Sequence, residues 1–218
     1  HPTIATAMSL ISRSKNDKNK LVFETLAGLI HVEVSCSGDQ TKISMTQPKP
    51  KFGLKIEKKV LSQIGGIPEN SILCKPQVVS TGLPFPIVLV DTLETLQKVT
   101  IDYQALDKFR ATSSENDLME PFWVCLSSPR ENGNTFSRLL LQSGGRSEDP
   151  FTGSATGAMA AYLWDNGLIQ ETTFTAHQGD FLGRPGEAEV EVLGRAGNIS
   201  GVKVTGSAYI LMTGKLKI

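Results

Sequence analysis

Two segments with no charged side chain constrain the fold of this chain most. Residues 2–11 (PTIATAMSLI) and 153–164 (GSATGAMAAYLW) both read as helices built from small and apolar residues. A helix that is apolar on nearly every side must be buried on nearly every side. Most of the remaining sequence predicts strands. We therefore expect each helix to be enclosed by a strongly curved sheet.

The strand predictions rest on short apolar or alternating runs that end at turn-forming residues. Short helices are predicted at 56–64, from about residue 91, where Asp91 and Thr92 offer a cap, and at 102–109. The segment 47–50 (QPKP) breaks the pattern. The predicted strands are 21–25, 29–34, 43–46, 78–82, 87–90, 122–126, 136–141, 174–176, 189–193, 202–206, 208–212 and 216–218.

The two enclosed helices lie far apart, and strand-rich sequence follows each of them. This arrangement predicts an α+β fold with two similar lobes, each with one enclosed helix. We assign residues 1–76 to the remainder of the first lobe, 77–205 to the second lobe, and 206–218 to closing strands that return to the first lobe. Because chains rarely begin with a buried helix, we expect sequence ahead of residue 1 and an incomplete first lobe.

Charge and cysteine content exclude several classes of partner. Lysine plus arginine and aspartate plus glutamate each number 22, which gives no electrostatic reason to expect nucleic acid or an anionic membrane as partner. The longest apolar stretches are far shorter than the ~20 residues of a membrane span.

The cysteines and histidines bear on location and on metal binding. Three separated cysteines without a C-x-x-C pair favour a reducing, cytoplasmic location. The three histidines are not at metal-ligand spacing, so no metal site is expected.

The most specific string is residues 148–157 (EDPFTGSATG), where a carboxylate and a Gly/Ser/Thr-rich turn lead into the second apolar helix. Exposed N–H groups and the helix dipole make such a turn a good anion site. Gly153 permits close approach, Thr152 and Ser154 can donate hydrogen bonds, and Asp149 is a potential general acid or base. The alternative is that Asp149 or Thr152 merely caps a buried helix. The string matches neither a nucleophile elbow nor a P-loop.

Residues 149–157 (DPFTGSATG) resemble the D-P-x-T-G-S-x-x-G signature of the PhzF-like family of phenazine-biosynthesis isomerases. Four further matches follow the family order and span the chain. They are 1–3 (HPT), like the end of a G-H-P-T motif; 81–85 (TGLPF), like the start of the second lobe; 178–179 with 183–185 (QG and GRP), like a Q-G…G-R-P element; and 206–216, like the closing strands.

The resemblance implies the α+β fold of diaminopimelate epimerase, in which two similar lobes are each a strand barrel around a central helix and the ligand lies in the cleft between them. It implies an isomerase that moves a proton on a small carboxylate-bearing metabolite without metal, pyridoxal phosphate or nicotinamide. A homodimer is a further expectation from the resemblance. The reaction is physically reasonable because two helix N-termini facing one cleft stabilise a carboxylate and developing negative charge.

Carried over by position, the resemblance assigns His1, Asp149 and Ser154 to proton transfer or substrate orientation. Arg184 either binds a substrate carboxylate or stabilises its turn, and His177 is either a ligand contact or a satisfied strand histidine. The full set of expected substrate-binding residues is Thr152, Gly153, Ala155, Thr156, Gln178, Gly179 and Arg184.

The sequence departs in one respect from the related epimerases and in another from the PhzF-like family. Neither helix start carries a cysteine, so cysteine-pair racemisation is not expected, and Cys36, Cys74 and Cys125 are interpreted as core thiols. The glutamate regarded as the main base of the family precedes the histidine motif and lies outside this sequence. The alternative function is therefore a catalytically silent module of the same fold that binds a ligand or another protein.

Overall fold

The computed structural model describes residues 1–13, 19–26, 28–37, 40–115, 117–142 and 148–214. The helices in these ranges are α1 (Pro2–Arg13), α2 (Lys58–Gly65), α3 (Leu93–Lys98), α4 (Tyr103–Thr112) and α5 (Gly153–Asp165), with short 3-10 turns at Glu69–Ser71 and Asp180–Leu182. The strands are β1 (Lys20–Thr25), β2 (Gly28–Ser37), β3 (Gln40–Gln47), β4 (Lys51–Lys55), β5 (Gln77–Ser80), β6 (Pro84–Val90), β7 (Phe122–Cys125), β8 (Thr135–Leu140), β9 (Glu148–Asp149), β10 (Thr173–Gln178), β11 (Gly186–Arg195) and β12 (Asn198–Ser207).

All of these strands belong to one sheet with the order β1-β2-β3-β12-β11-β10-β8-β7-β6-β5-β4, and β9 pairs with β8 off this path. β12 is the junction, because it pairs antiparallel with β11 on one edge and with β3 on the other. One strand therefore joins the β1–β3 hairpins to the rest of the chain. The predicted boundaries at residues 76 and 205 stay predictions.

The helix α5 is enclosed as the sequence predicted. It contacts β5, β6, β7, β11 and β12. The nine consecutive residues from Ala155 to Leu163 are all buried. Alanine and glycine dominate its first half, so the surrounding strands approach the helix backbone closely. The predicted α+β class, with a helix inside a curved sheet, is confirmed.

The prediction that α1 is buried on all sides is wrong for the described structure. Only Ala7 is fully buried, and Leu10 remains 46% exposed. The helix packs through Ile4, Met8 and Ile11 onto a small cluster with the strands β2 and β3. Among the described residues, strands cover one face of α1 and leave its other face exposed.

Three strand predictions need correction. Residues 208–212 do not form a strand, and Leu211 is 95% exposed, because no described strand lies beside this apolar segment. β4 was missed because its sequence, KFGLK, carries lysines and a glycine, yet it pairs with β5 at the sheet edge. β6 begins at Pro84, earlier than predicted, and its prolines precede the part that β7 pairs. The predicted strand at 216–218 lies outside the described residues.

The helices α2, α3 and α4 cover the opposite face of β6–β8 from α5. Their cluster includes Leu96, Leu106, Trp123 and Phe136, all completely buried. The sheet around β8 is therefore covered on both faces. Among the helices of the described ranges, none combines the length and the apolar character that crossing a membrane requires.

The two helices that looked alike in sequence make different contributions to stability. Leu163→Ala on α5 empties a fully buried site and is expected to lower the free energy of unfolding by about 2–5 kcal/mol. Leu10→Ala on α1, the matched control, is expected to change it by about 0.5 kcal/mol or less. Urea unfolding followed by circular dichroism measures both, and equal losses would contradict the burial described here.

Candidate active site

The first turns of α1 and α5 open onto the same cavity, whose volume is about 1230 Å³. His1 lies on one side of it, at the start of α1. Asp149, Thr152, Gly153 and Ser154 lie at the start of α5. The strands β3, β11 and β12 contribute further wall residues, so the cavity lies where the β1–β3 hairpins meet the sheet around α5. The structure thus brings together all three residues expected to be catalytic.

The Asp149 carboxylate is held by a side-chain hydrogen bond from its own turn. The Thr152 hydroxyl donates to Asp149 Oδ2 at 2.7 Å. Asp149 is half-buried and belongs to β9, where it pairs opposite Leu139 of β8. The carboxylate is therefore positioned by a strand behind it and by a hydroxyl three residues ahead.

Gln178, which is fully buried at the end of β10, holds both ends of this turn. Its Oε1 accepts the Thr152 backbone N–H at 3.0 Å. Its Nε2 donates to the Asp149 carbonyl at 2.8 Å and contacts the Thr152 hydroxyl at 3.2 Å. The expected ligand contact of Gln178 stays a prediction. The structure shows it as a support for the residues that line the cavity.

The start of α5 carries no side-chain cap. Thr152 occupies the N-cap position, but its side chain makes no capping hydrogen bond because the hydroxyl is engaged with Asp149. The alternative that Asp149 or Thr152 serves as a cap is therefore wrong. An uncapped helix start presents N–H groups and the positive end of the helix dipole. Here these groups open onto the cavity.

Sequence reasoning missed Gln47 as a site residue. This nearly buried side chain at the end of β3 donates from Nε2 to the Gly153 carbonyl at 2.7 Å. The buried Thr81 hydroxyl donates in turn to Gln47 Oε1. A Cβ at Gly157 would overlap the Gln47 amide. The sequence signal for this contact was Gly157, one helical turn beyond Gly153. A glycine inside a helix indicates that another part of the chain approaches the helix closely, but it does not identify the approaching residue.

Several expected substrate-binding residues lie away from the cavity wall. Ala155 and Thr156 are buried on α5, where the Thr156 hydroxyl donates to the Thr152 carbonyl at 2.9 Å. Gly179 has φ +90°, and Arg184 is exposed, with its backbone N–H donating to the Gly179 carbonyl at 3.1 Å. The backbone of Arg184 takes part in this turn. The role of its side chain and the ligand contacts of these four residues stay predictions.

His177 lies behind the site and does not line the cavity. Its side chain is 3% exposed, and Nδ1 lies 2.7 Å from the Ser128 hydroxyl. Burial lowers the pKa of His177, and the nearby Arg130 charge lowers it further. His177 is therefore a hydrogen-bonded strand histidine, the second of the two interpretations offered by the sequence.

The cysteines also lie outside the cavity wall. Cys125 is buried and Cys74 is half-buried, but Cys36 is exposed. The interpretation of Cys36 as a core thiol is wrong, because it lies on an outward-facing position of β2. In the part of the chain that is described, no three His, Cys, Asp or Glu side chains come together as a metal-binding group.

Comparison with known proteins identifies the family. The model of the phenazine biosynthesis-like (PhzC-PhzF) proteins matches residues 1–214. The chain therefore belongs to this family, and the resemblance drawn from the motifs is confirmed.

Individual relatives are named as isomerases. An uncharacterized isomerase of Clostridium acetobutylicum is 29% identical over 240 residues, which cover 99% of this chain and 74% of the relative. The trans-2,3-dihydro-3-hydroxyanthranilate isomerase of Pseudomonas fluorescens is 26% identical over 223 residues, which cover 99% of this chain and 73% of that enzyme. A generic isomerase function follows for the family to which this chain belongs.

Solved structures support the fold. A PhzF-family phenazine biosynthesis protein of Bacillus anthracis superposes with a TM-score of 0.76 at 24% identity, over 94% of this chain and 71% of that one. A hydroxyproline epimerase of Agrobacterium vitis superposes with a TM-score of 0.60 at 15% identity, over 94% of this chain and 62% of that one. At these identities the likeness concerns the fold alone.

The support from Gln178 can be measured as stability. Gln178→Leu removes the acceptor of the buried Thr152 N–H and is expected to lower the free energy of unfolding by about 1–3 kcal/mol. Gln170→Leu, a change at an exposed glutamine just after α5, is the matched control and is expected to cost about 0.5 kcal/mol or less. Equal effects in urea unfolding would mean that the Gln178 hydrogen bonds do not support the turn.

The lowered pKa of His177 predicts a dependence of stability on pH. In the window between its folded pKa and its ordinary value of about 6.5, the unfolded chain binds more protons than the folded protein. The contribution of neutral His177 to the free energy of unfolding is therefore complete above about pH 6.5, and the free energy of unfolding decreases as the pH falls below that value.

The variant His177→Gln tests this dependence and is expected to flatten the slope of the free energy of unfolding against pH, measured by urea unfolding between about pH 7.5 and pH 5.5. His31→Gln, at an exposed position of β2, is the matched control. An unchanged slope in His177→Gln would contradict the assignment.

Proposed function

We propose that this protein is a cofactor-independent isomerase that moves a proton on a small carboxylate-bearing metabolite. The observation that carries the proposal is the uncapped start of α5, which shares one cavity with the Asp149 carboxylate and with His1. An anion-binding group and a proton-transferring group therefore face the same space. The names of the relatives, which are isomerases, agree with this class of reaction.

The first-turn N–H groups of α5 are the proposed site for the substrate carboxylate. Gly153 and Ser154 open onto the cavity, and Gly153 has open space where a side chain would stand. Backbone N–H groups and the helix dipole stabilise an anion at this position. They also stabilise negative charge that develops when a proton leaves the carbon next to that carboxylate. The Ser154 hydroxyl adds a donor for orienting the ligand.

Asp149 is the proposed proton-transferring group on the α5 side. Its Oδ2 accepts the Thr152 hydroxyl at 2.7 Å, which leaves the other carboxylate oxygen to exchange a proton with the substrate. His1, across the cavity, is the proposed partner that supplies or accepts a proton at a second substrate atom. A proton removed at one carbon and returned at another, or to the other face, completes an isomerisation without net change of atoms.

A substrate is suggested by the relatives named trans-2,3-dihydro-3-hydroxyanthranilate isomerase, which are 26% identical to this chain. That compound carries a carboxylate and mobile protons on a conjugated ring, so it serves as the probe here. The homodimer and the cytoplasmic location expected from the sequence remain predictions.

The proposal is tested by incorporation of solvent deuterium. The full-length protein, incubated with trans-2,3-dihydro-3-hydroxyanthranilate in D₂O, is expected to introduce deuterium at carbon, as followed by proton NMR. Asp149→Asn removes the proton-transferring carboxylate and is expected to slow incorporation by about 10²–10⁴-fold. Asp91→Asn, which changes an exposed aspartate after β6, is the matched control and is expected to keep the wild-type rate.

Two outcomes oppose the proposal. Wild-type incorporation that persists unchanged in Asp149→Asn would remove Asp149 from proton transfer. Binding of the compound with no incorporation in the wild-type protein would favour the catalytically silent module instead.

A further inference from the structure

A buried ion pair lies directly behind Asp149. Arg138 of β8 and Glu148 of β9 form a bidentate pair, with Nε at 3.0 Å from Oε1 and Nη2 at 2.7 Å from Oε2. The two side chains are only 11% and 5% exposed. Glu148 immediately precedes Asp149, so this pair fixes the residue next to the proposed proton-transferring group.

The arginine is fixed on its other side as well. Its Nη1 donates to the carbonyls of Leu96, Gln97 and Val99 at the end of α3, at 2.9–3.2 Å. The Phe181 ring lies 5.7 Å from the guanidinium carbon. The guanidinium group is therefore held in one orientation, in which its Nε and Nη2 face the Glu148 carboxylate.

The two residues of β9 point to opposite faces of the sheet. Directly paired residues on antiparallel strands share a face, and successive residues alternate. Glu148 pairs with Leu140, which lies on the same side of the sheet as α2–α4, together with Phe136. Asp149 pairs with Leu139, which packs on the other side with α5. Holding Glu148 against Arg138 thus directs Asp149 toward α5 and the cavity.

Backbone pairing alone specifies this arrangement weakly, because β9 contains only two residues. A shift of one residue in register would exchange the two faces. It would place the Asp149 carboxylate beside Arg138 and the Glu148 carboxylate toward α5. The Asp149 side chain is shorter than that of Glu148 by one methylene, so the bidentate contact favours the observed register.

We infer that Arg138 and Glu148 are positioning residues, which fix the register of β9 and thereby direct the Asp149 carboxylate into the cavity. This inference rests on the proposed function for its catalytic consequence, but its structural part can be tested without substrate. Neither residue lines the cavity, so both act through Asp149.

The test uses two variants of the pair. The double variant Arg138→Met/Glu148→Met replaces the ion pair with apolar side chains, a change that buried pairs often tolerate in stability. Glu148→Gln keeps the size and part of the hydrogen bonding and removes the charge. The exposed pair of α3, altered in Glu94→Gln/Lys98→Gln, is the matched control.

The first readout is amide hydrogen exchange in residues 148–156, compared with residues 28–36 of β2 in the same protein. In the folded double variant, exchange at 148–156 is expected to be at least about tenfold faster, with exchange at 28–36 unchanged. The control pair is expected to leave both segments as in the wild type. A role in general stability would accelerate both segments together.

The second readout is deuterium incorporation into the dihydrohydroxyanthranilate probe. The double variant is expected to lose at least about tenfold in kcat with less than about a twofold change in KM, because the pair does not touch the ligand. Glu148→Gln is expected to show a smaller loss in the same direction. If the wild type incorporates no deuterium, the proposed function fails, and the local exchange readout alone decides the positioning role.

The inference is overturned by a folded double variant whose exchange at 148–156 and whose kcat both equal those of the wild type. It is also overturned if both variants unfold globally, because the pair would then support the whole fold and not the direction of one strand.

Discussion

The hydrogen bonding of the first turn of α5 is the constraint on which the site depends. This turn is polar, it is surrounded by buried residues, and Thr152 does not cap it. Buried polar groups require partners, and here two glutamines from distant strands supply them. Gln178 of β10 binds the Thr152 N–H and the Asp149 carbonyl, and Gln47 of β3 binds the Gly153 carbonyl. Because side chains from elsewhere perform the bonding, Asp149 and the helix N–H groups remain directed toward the cavity.

The arrangement of the sheet makes these contacts possible. β12 joins β3 to β11, and this junction brings Gln47 beside a helix that is enclosed mainly by later strands. Gly157 leaves room for the Gln47 amide, since a Cβ at that position would overlap it. On the opposite side of β9, the Arg138–Glu148 pair holds the strand from which Asp149 projects. The residues that line the cavity are thus held by contacts from β10, from β3 and from the Arg138–Glu148 pair on the far face of the sheet.

The sequence allowed the fold class and the centre of the site to be predicted because both leave local signals. The run from Gly153 to Trp164 has no charged residue, and residues 149–154 combine a carboxylate with a glycine-containing turn. The supporting residues left no such signal. Gln47 is the last residue of the ordinary strand β3, and its role arises from a contact with a residue 106 positions away in sequence. The segment 208–212 was misassigned for the converse reason, because a strand-like composition forms a strand only when a partner strand lies beside it.

The most direct test of the account is a crystal structure of the Asp149→Asn variant with the dihydrohydroxyanthranilate probe bound. The account predicts that the ligand carboxylate lies within hydrogen-bond distance of the first-turn N–H groups of α5, at Gly153 or Ser154. It also predicts that the carbon that exchanges its proton faces the side chain at position 149. A ligand carboxylate bound elsewhere, or an exchanging carbon that faces away from position 149, would contradict the account.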